Sequence, residues 1–488
     1  MTAAIQKKLQ KEIGRLPPDL RAPVTHWLER LQEESPGPFI VPGDGASIPG
    51  LVKLVACSEF AANTLIRHWT WFCAELESGS LSQRPAPTAL QASLQAFLQA
   101  AGDIAAAKRG LRVFRNRQML GILWRDIGED GDVASTLADL SDLADVLIGS
   151  ASSHVATALA ARFGRILADD GEPMALIVLA MGKLGGQELN FSSDVDLVFL
   201  YSGDGESNGG SPLTANEYFT RWGRQLTALL DDITEDGFVY RVDTRLRPFG
   251  DSGPPVVSVA ALESYLLQHG RSWERYAYVK ARVISSAAPG RVADDLIQEL
   301  IRPFVYRRYL DYGVFESLRE MKALISAEVK RREMALDIKL GPGGIREIEF
   351  IVQSLQLVRG GADRKLRGRT LLRVLPRLVE SGGVAPHAAA MLTDAYRFLR
   401  RLENGIQAIH DRQTHDLPQS DVDRSRVALA MGHSDWASLD ATLQLHRSEV
   451  SRQFAEVVFR GEAGKERSQQ ARRISGLWDT AGNPSRLL

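Results

Sequence analysis

ALIVLAMGKLGGQELNFSSDVDLVFLY, from Ala175 to Tyr201, is the stretch whose reading decides the fold. An apolar strand runs into a glycine-rich turn. A short polar segment follows, and then a second apolar strand that opens with Asp194 and Asp196. Side chains two apart on a strand point to the same face, so both carboxylates are expected to project into one site. Two carboxylates buried without counter-charge are costly, so a cation is expected beside them. Together with a glycine turn they suit Mg²⁺ and the phosphates of a nucleotide. D-x-D alone is a weak signal, since it is common in solvated loops; its place at the start of an apolar strand gives it weight.

Working outward, GFVYRVDT (237–244) reads as another strand, with a further one around Val256–Val259. It carries Asp243, the candidate third carboxylate of a metal site. Arg241, Arg245 and Arg247 alternate with it and can either form salt bridges or hold phosphate oxygens by paired hydrogen bonds. The loop PFGDSGPPV either touches substrate or turns between strands. SWERYAYVKARVI spaces Glu274, Arg275, Lys280 and Arg282 along a helix whose charged face is expected to be solvated. In IKLGPGGIREIEFIVQ the glycine turn should cap a helix from about Ile345, with Arg346, Glu347 and Glu349 in its first turn. Those acidic residues suit the helix dipole, and the N-terminus itself suits an anion.

The flanking sequence is helical. Leu51–Leu76 and Thr88–Leu167 read as successive amphipathic helices. The arginines of LRVFRNRQMLGILWRDI (111–127) are expected on a solvated face. FESLREMKALISAEVKRREM, REIEFIVQSLQLVRG and DAYRFLRRLENGIQAIHD are long periodic segments after Glu299, and the chain turns polar after Arg460. The fold class expected is mostly α with an inserted α/β core. Its segments are a helical N-terminal region (1–150), the α/β catalytic domain (151–298), a helical bundle (299–460) and a linker or tail (461–488).

Composition narrows the function. With 488 residues, two or three domains are expected. A net charge of −1 argues against a protein that coats nucleic acid. The two cysteines, Cys57 and Cys73, form no ligand-like cluster, and the nine histidines show no metal-ligand spacing. No secretory h-region opens the chain and no later run is expected to span a bilayer, which makes the cytoplasm the expected location.

MGKLGGQELNFSSDVDL resembles the signature of the nucleotidyltransferase superfamily, which includes DNA polymerase β and kanamycin nucleotidyltransferase. The resemblance implies a polymerase β-like core with Asp194, Asp196 and Asp243 as catalytic and metal-binding residues for Mg²⁺, or Mn²⁺. It implies nucleotide and phosphate contacts at Gly182, Lys183, Gly185, Gly186, Ser193, Arg245 and Arg247. Lys183 stands where the superfamily usually has serine.

GKLGGQELNFSSDVDLVFLY, VDTRLRPFGDSGP, GRSWERYAYVKARVI, RPFVYRRYLDYG and KLGPGGIREIEFIVQ together resemble, in order, the bifunctional glutamine synthetase adenylyltransferase/adenylyl-removing family, from about Cys57 to about Phe459. That family joins two homologous halves. One adenylylates a tyrosine of glutamine synthetase; the other removes the AMP with inorganic phosphate, releasing ADP. D-x-D in its strand context occurs once here, so one half is expected. The wording around the site resembles the N-terminal, adenylyl-removing half, and the polar tail fits a break in the connector between halves. Partners implied are adenylylated glutamine synthetase, phosphate and ADP, the PII signal protein, and glutamine as an effector, with no nucleic acid and no membrane. ATP-dependent adenylylation and a non-catalytic nucleotide- or PII-binding module are the competing readings.

Overall fold

The computed structural model describes residues 3–34, 41, 45–99, 103–284, 290–307 and 336–459. The expected helix FESLREMKALISAEVKRREM and the expected tail 461–488 lie outside them, as does part of RPFVYRRYLDYG. The described residues are mostly helical with one small mixed sheet. They group into two compact units. One takes the residues up to Val305 together with Arg400–Asp440; the other takes Tyr306–Leu399 and the described residues from Ala441. The segment 400–440 thus groups with the sheet-bearing unit.

The sheet of the first unit is built on two apolar strands, β1 (Ile177–Ala180) and β2 (Val195–Tyr201). Every residue of both is buried except Asp196, which is half-buried. They pair antiparallel, Ile177 opposite Leu200 and Ala180 opposite Leu197. Two short strands, β3 (Val242–Asp243) and β4 (Val256–Ser258), pair parallel with successive parts of β2. On the far side of β1, β5 (Arg282–Val283) pairs antiparallel. The expected strand 237–244 is thus reduced to Val242–Asp243. Upstream of it the chain curls through a turn in which Thr234 and Gly237 exchange backbone hydrogen bonds.

The helix Ala215–Asp231 lies on this sheet. Thr214 and Glu217 close its N-terminus by a reciprocal capping box. Its apolar face buries Phe219, whose ring stacks on Tyr201 at 5.2 Å. A Cβ at Gly223 would stand 2.7 Å from Val256 Cγ2, so this helix approaches β4 closely only because residue 223 lacks a side chain. Burying a ring such as Phe219 is worth about 2–3 kcal/mol.

The helix Val133–Phe163 runs 31 residues and is long and apolar enough, by length and composition, to cross a membrane. This corrects the expectation that no run reaches that length. Of its most apolar window, 61% is buried inside the protein. Several of its polar groups have protein partners: Asp139 pairs with Arg125 and Arg84, Asp145 with Arg282, and Ser152 accepts from Trp222 Nε1. A second correction concerns the arginines of 111–127. Arg112 and Arg115 are buried, not solvated. Arg112 donates to the carbonyls of Gly237, Leu229 and Asp232, and Arg115 grips Asp411. Both thiols are free; burial pushes Cys57 and Cys73 up to about 12, which leaves them protonated at neutral pH.

The second unit contains the helix Ile345–Arg359, which begins after the glycine turn as expected. Gly343 takes the left-handed conformation, φ +70°, and its N–H donates to Glu347 Oε2 at 3.0 Å. Glu347, in the first turn of the helix, thus ties the glycine turn to the helix N-terminus.

Candidate active site

Parallel pairing of β2 with β3 puts Asp196 directly opposite Asp243. Register partners point to the same face, so the two carboxylates, 47 positions apart in the chain, share one side of the sheet. Asp194 lies one residue ahead of β2, not on it. The D-x-D strand reading therefore holds for Asp196 and not for Asp194. Among the described residues, no group of three or more His, Cys, Asp or Glu side chains meets as a ready metal cage.

The turn behind Asp196 explains the glycine at 182. Gly182 has φ +54°, and a Cβ there would lie 2.3 Å from Asp196 Oδ2. Only a residue without a side chain lets the carboxylate rest against the backbone after β1. Gly185 has a different reason: its Cβ would strike the carbonyls of Lys280 (2.2 Å) and Ala180 (2.7 Å). Its place is set by packing against the chain before β5. Gly186 is buried at the end of the same turn, and Ser193 is half-buried in the segment leading to β2.

Asp194 and Asp243 each have basic or amide company. Arg241 Nε donates to Asp194 Oδ1 at 2.8 Å, and Gln413 Nε2 donates to Asp194 Oδ2 at 2.9 Å. Arg245 reaches back over Asp243 with its backbone N–H at 2.8 Å and its guanidinium at 2.5–3.1 Å. Burial alone would raise the Asp243 carboxyl, but the Arg245 hydrogen bonds outweigh it and hold the group below the usual carboxylate range. Asp243 is ionised at neutral pH.

The two expected phosphate arginines separate. The Arg245 side chain is 62% exposed, whereas Arg247 is folded down, donating to Thr244 O and Oγ1 and to Gly253 O. Arg247 fastens the 244–253 turn. That turn is tight: a Cβ at Gly253 would lie 2.0 Å from Pro248 O, and Phe249 sits in the left-handed region at φ +61°.

Lys183 has a partner that no local reading of the glycine turn reveals. Its ammonium lies 2.6 Å from Asn190 Oδ1 and 2.7 Å from Glu403 Oε1. Glu403 is wholly buried; Arg400 and His415 also face it. Burial would raise its carboxyl, and the surrounding positive groups, Lys183 first, bring it well below the usual value. Around this pair, Asn190 donates to Gln407, Gln407 accepts from Ser192 N–H, and Asn404 accepts from Phe191 N–H. The polar segment between β1 and β2 is thus held by residues 400–407. No local signal in the sequence marks them, because they arrive more than 200 positions later.

Lys280 and Arg275 are likewise committed. Lys280 pairs with buried Glu188 at 3.0 Å, and Arg275 donates to Val305 O at 3.1 Å. Glu274 caps Arg271 and accepts from Tyr265. The expectation of a solvated charged face at 274–282 is corrected: Glu274, Arg275 and Lys280 are buried.

Residues 48–295 match the family model described as glutamate-ammonia ligase adenylyltransferase, and residues 319–458 match that described as GlnD PII-uridylyltransferase. The chain is similar to the bifunctional glutamine synthetase adenylyltransferase/adenylyl-removing enzyme of Thioalkalivibrio sulfidiphilus, at 47% identity over 83% of this chain and 42% of the relative. It is 46% identical to the protein of the same name from Pseudomonas putida, over 83% and 42%, and 41% identical to that of Xanthomonas oryzae pv. oryzae, over 97% and 48%. The chain spans about half the length of the curated relatives it matches. With a family model covering the sheet and the carboxylate pair, the chain belongs to the glutamate-ammonia ligase adenylyltransferase family, a family of nucleotidyltransferases.

Proposed function

We propose that this chain removes AMP from an adenylylated tyrosine of glutamine synthetase by phosphorolysis, in the cytoplasm, under the influence of PII and glutamine. The observation that carries the reading is the Asp196–Asp243 register pair, with Gly182 turned against it. The resemblance of RPFGDSG, GRSWERYAYVKAR and GGIREIEF to the adenylyl-removing half supports this direction over ATP-dependent adenylylation.

The donor set fits a hard divalent cation. It is all oxygen, and each Asp194 oxygen accepts one hydrogen bond and keeps a lone pair. Asp194, Asp196 and Asp243 would hold Mg²⁺ or Mn²⁺. The ion supplies positive charge against the crowded phosphate oxygens. Gly182 lets a phosphoryl group come close to the backbone beside Asp196. Arg245, exposed and paired with Asp243, can turn its guanidinium to inorganic phosphate. A phosphate oxygen attacks the AMP phosphorus, the bond from phosphorus to the tyrosyl oxygen breaks, and the phenolate leaves to take a proton from solvent. ADP is formed with no redox partner. A phenol needs little general-acid help, which suits a site whose nearest groups are carboxylates, arginines and an amide.

The test is incubation with AMP-modified glutamine synthetase, Mg²⁺ and inorganic phosphate. Phosphate-dependent ADP that disappears in Asp194→Asn is the expected result. ATP-driven labelling of unmodified glutamine synthetase, without ADP release, would reverse the assigned direction.

A further inference from the structure

The segment between the helices Pro386–Ala408 and Asp421–Ala430 is fastened at short intervals. Asp411, in the left-handed region at φ +52°, is gripped by both terminal nitrogens of buried Arg115 at 2.6 and 3.1 Å. The Arg115 guanidinium is itself set over the rings of Phe238 and Phe60, at 5.2 and 5.7 Å. Three residues on, the Thr414 carbonyl accepts from Gln407 Nε2 at 3.1 Å, and His415 Nδ1 lies 3.0 Å from Glu403. Between these fixed points stands Gln413, whose exposed amide does one thing: it donates to Asp194 Oδ2.

The other oxygen of Asp194 is held by Arg241. That guanidinium also donates to Ser192 Oγ at 3.1 Å and lies 4.9 Å from the Phe238 ring. Phe238 is therefore shared by the arginine that anchors the Gln413 segment and the arginine that holds Asp194. Asp194 precedes β2 and lacks the strand pairing that fixes Asp196, so its carboxylate needs orientation from side chains.

We propose that Gln413 is a positioning residue for Asp194. Hydrogen bonds from opposite sides, Arg241 on Oδ1 and Gln413 on Oδ2, fix the plane of the carboxylate and leave one lone pair of each oxygen for a divalent cation. The proposal rests on the reading of Asp194 as a cation ligand and deepens it. It assigns residues 409–416 to the catalytic site, although they lie outside the region that matches the adenylyltransferase model. Hydrogen-bond partners that orient metal-binding groups typically change metal affinity 10–100-fold when removed.

The test is Mn²⁺ binding, followed by the electron paramagnetic resonance of the free ion, on the full chain without substrate. Gln413→Leu, at an exposed side chain, should leave Tm unchanged and weaken Mn²⁺ binding about tenfold. In an Asp194→Asn background the same substitution should add nothing, since the two residues act through one carboxylate. Unchanged Mn²⁺ affinity in Gln413→Leu, with binding lost in Asp194→Asn, would overturn the positioning role alone. Equal Mn²⁺ binding by the unsubstituted chain and Asp194→Asn would overturn both the proposal and the cation reading beneath it.

Discussion

Two ion pairs flank the carboxylate site, Lys183–Glu403 and Arg245–Asp243, with nearly equal separations of 2.7 and 2.5 Å. Their surroundings differ. The first is 11% and 0% exposed, the second 62% and 15%. In low dielectric a broken pair leaves a stranded charge, so Lys183 stays where it is. Near water the same bond is worth less, and the arginine can exchange its carboxylate for another anion. Two ion pairs of the same kind are thereby divided into a fastener and an exchangeable contact.

Breaking the fastener should have the largest effect. Lys183→Met leaves Glu403 short of its first counter-charge and is expected to cost about 3–5 kcal/mol at neutral pH, read by urea denaturation. The pH dependence has a definite sign. A carboxyl depressed in the folded state contributes its stability in full above its ordinary value of 4.5 and loses it as pH falls toward the lower folded value. The gap between Lys183→Met and the unsubstituted chain should therefore narrow as pH drops below about 4.5. A constant gap would mean that Lys183 acts by packing and not by charge.

Gly182→Ala sits between the two extremes. The left-handed φ of +54° costs about 1–3 kcal/mol for a residue with a side chain. The new methyl also displaces Asp196, so turnover should fall about 10²-fold. Retained turnover would show that Asp196 need not rest against the turn. The smallest effect belongs to Arg245→Ala, which should change stability by about 1 kcal/mol because the arginine end of the pair is exposed. Its consequence should be in the apparent KM for phosphate. A stability loss as large as that of Lys183→Met would erase the contrast.

How much of this was legible depends on distance along the chain. The strand–turn–strand of 175–201 announces itself through apolar runs and glycines, and Asp243 stands out as an acid on the next apolar run. What fixed their relation is register, Asp196 opposite Asp243, which no local pattern states. Arg112, Arg115, Arg275 and Lys280 misled because periodicity sorts charged residues outward, whereas each has a buried carboxylate or carbonyl waiting elsewhere in the chain. The strand expected over 237–244 is short because, although β-branched and aromatic residues are frequent there, the N–H groups of Val239 and Tyr240 donate to Leu230 O and not to a strand. Residues 400–416 carry no motif; their meaning lies wholly in what they touch.

The hydrogen bond from Ser58 Oγ to Ala408 O joins residues 350 positions apart. Ser58 also caps the helix Glu59–Ser78, and Phe60 N–H donates to Ile409 O, so the early helices and residues 408–409 close on each other. On a ribosome adding about 5–20 residues per second, roughly 18–70 s separate the synthesis of these partners. During that interval Arg115 and Lys183 have been made, but Asp411 and Glu403 have not. A nascent chain of this protein must keep these buried-to-be charges wet until the residues that pair with them have been made.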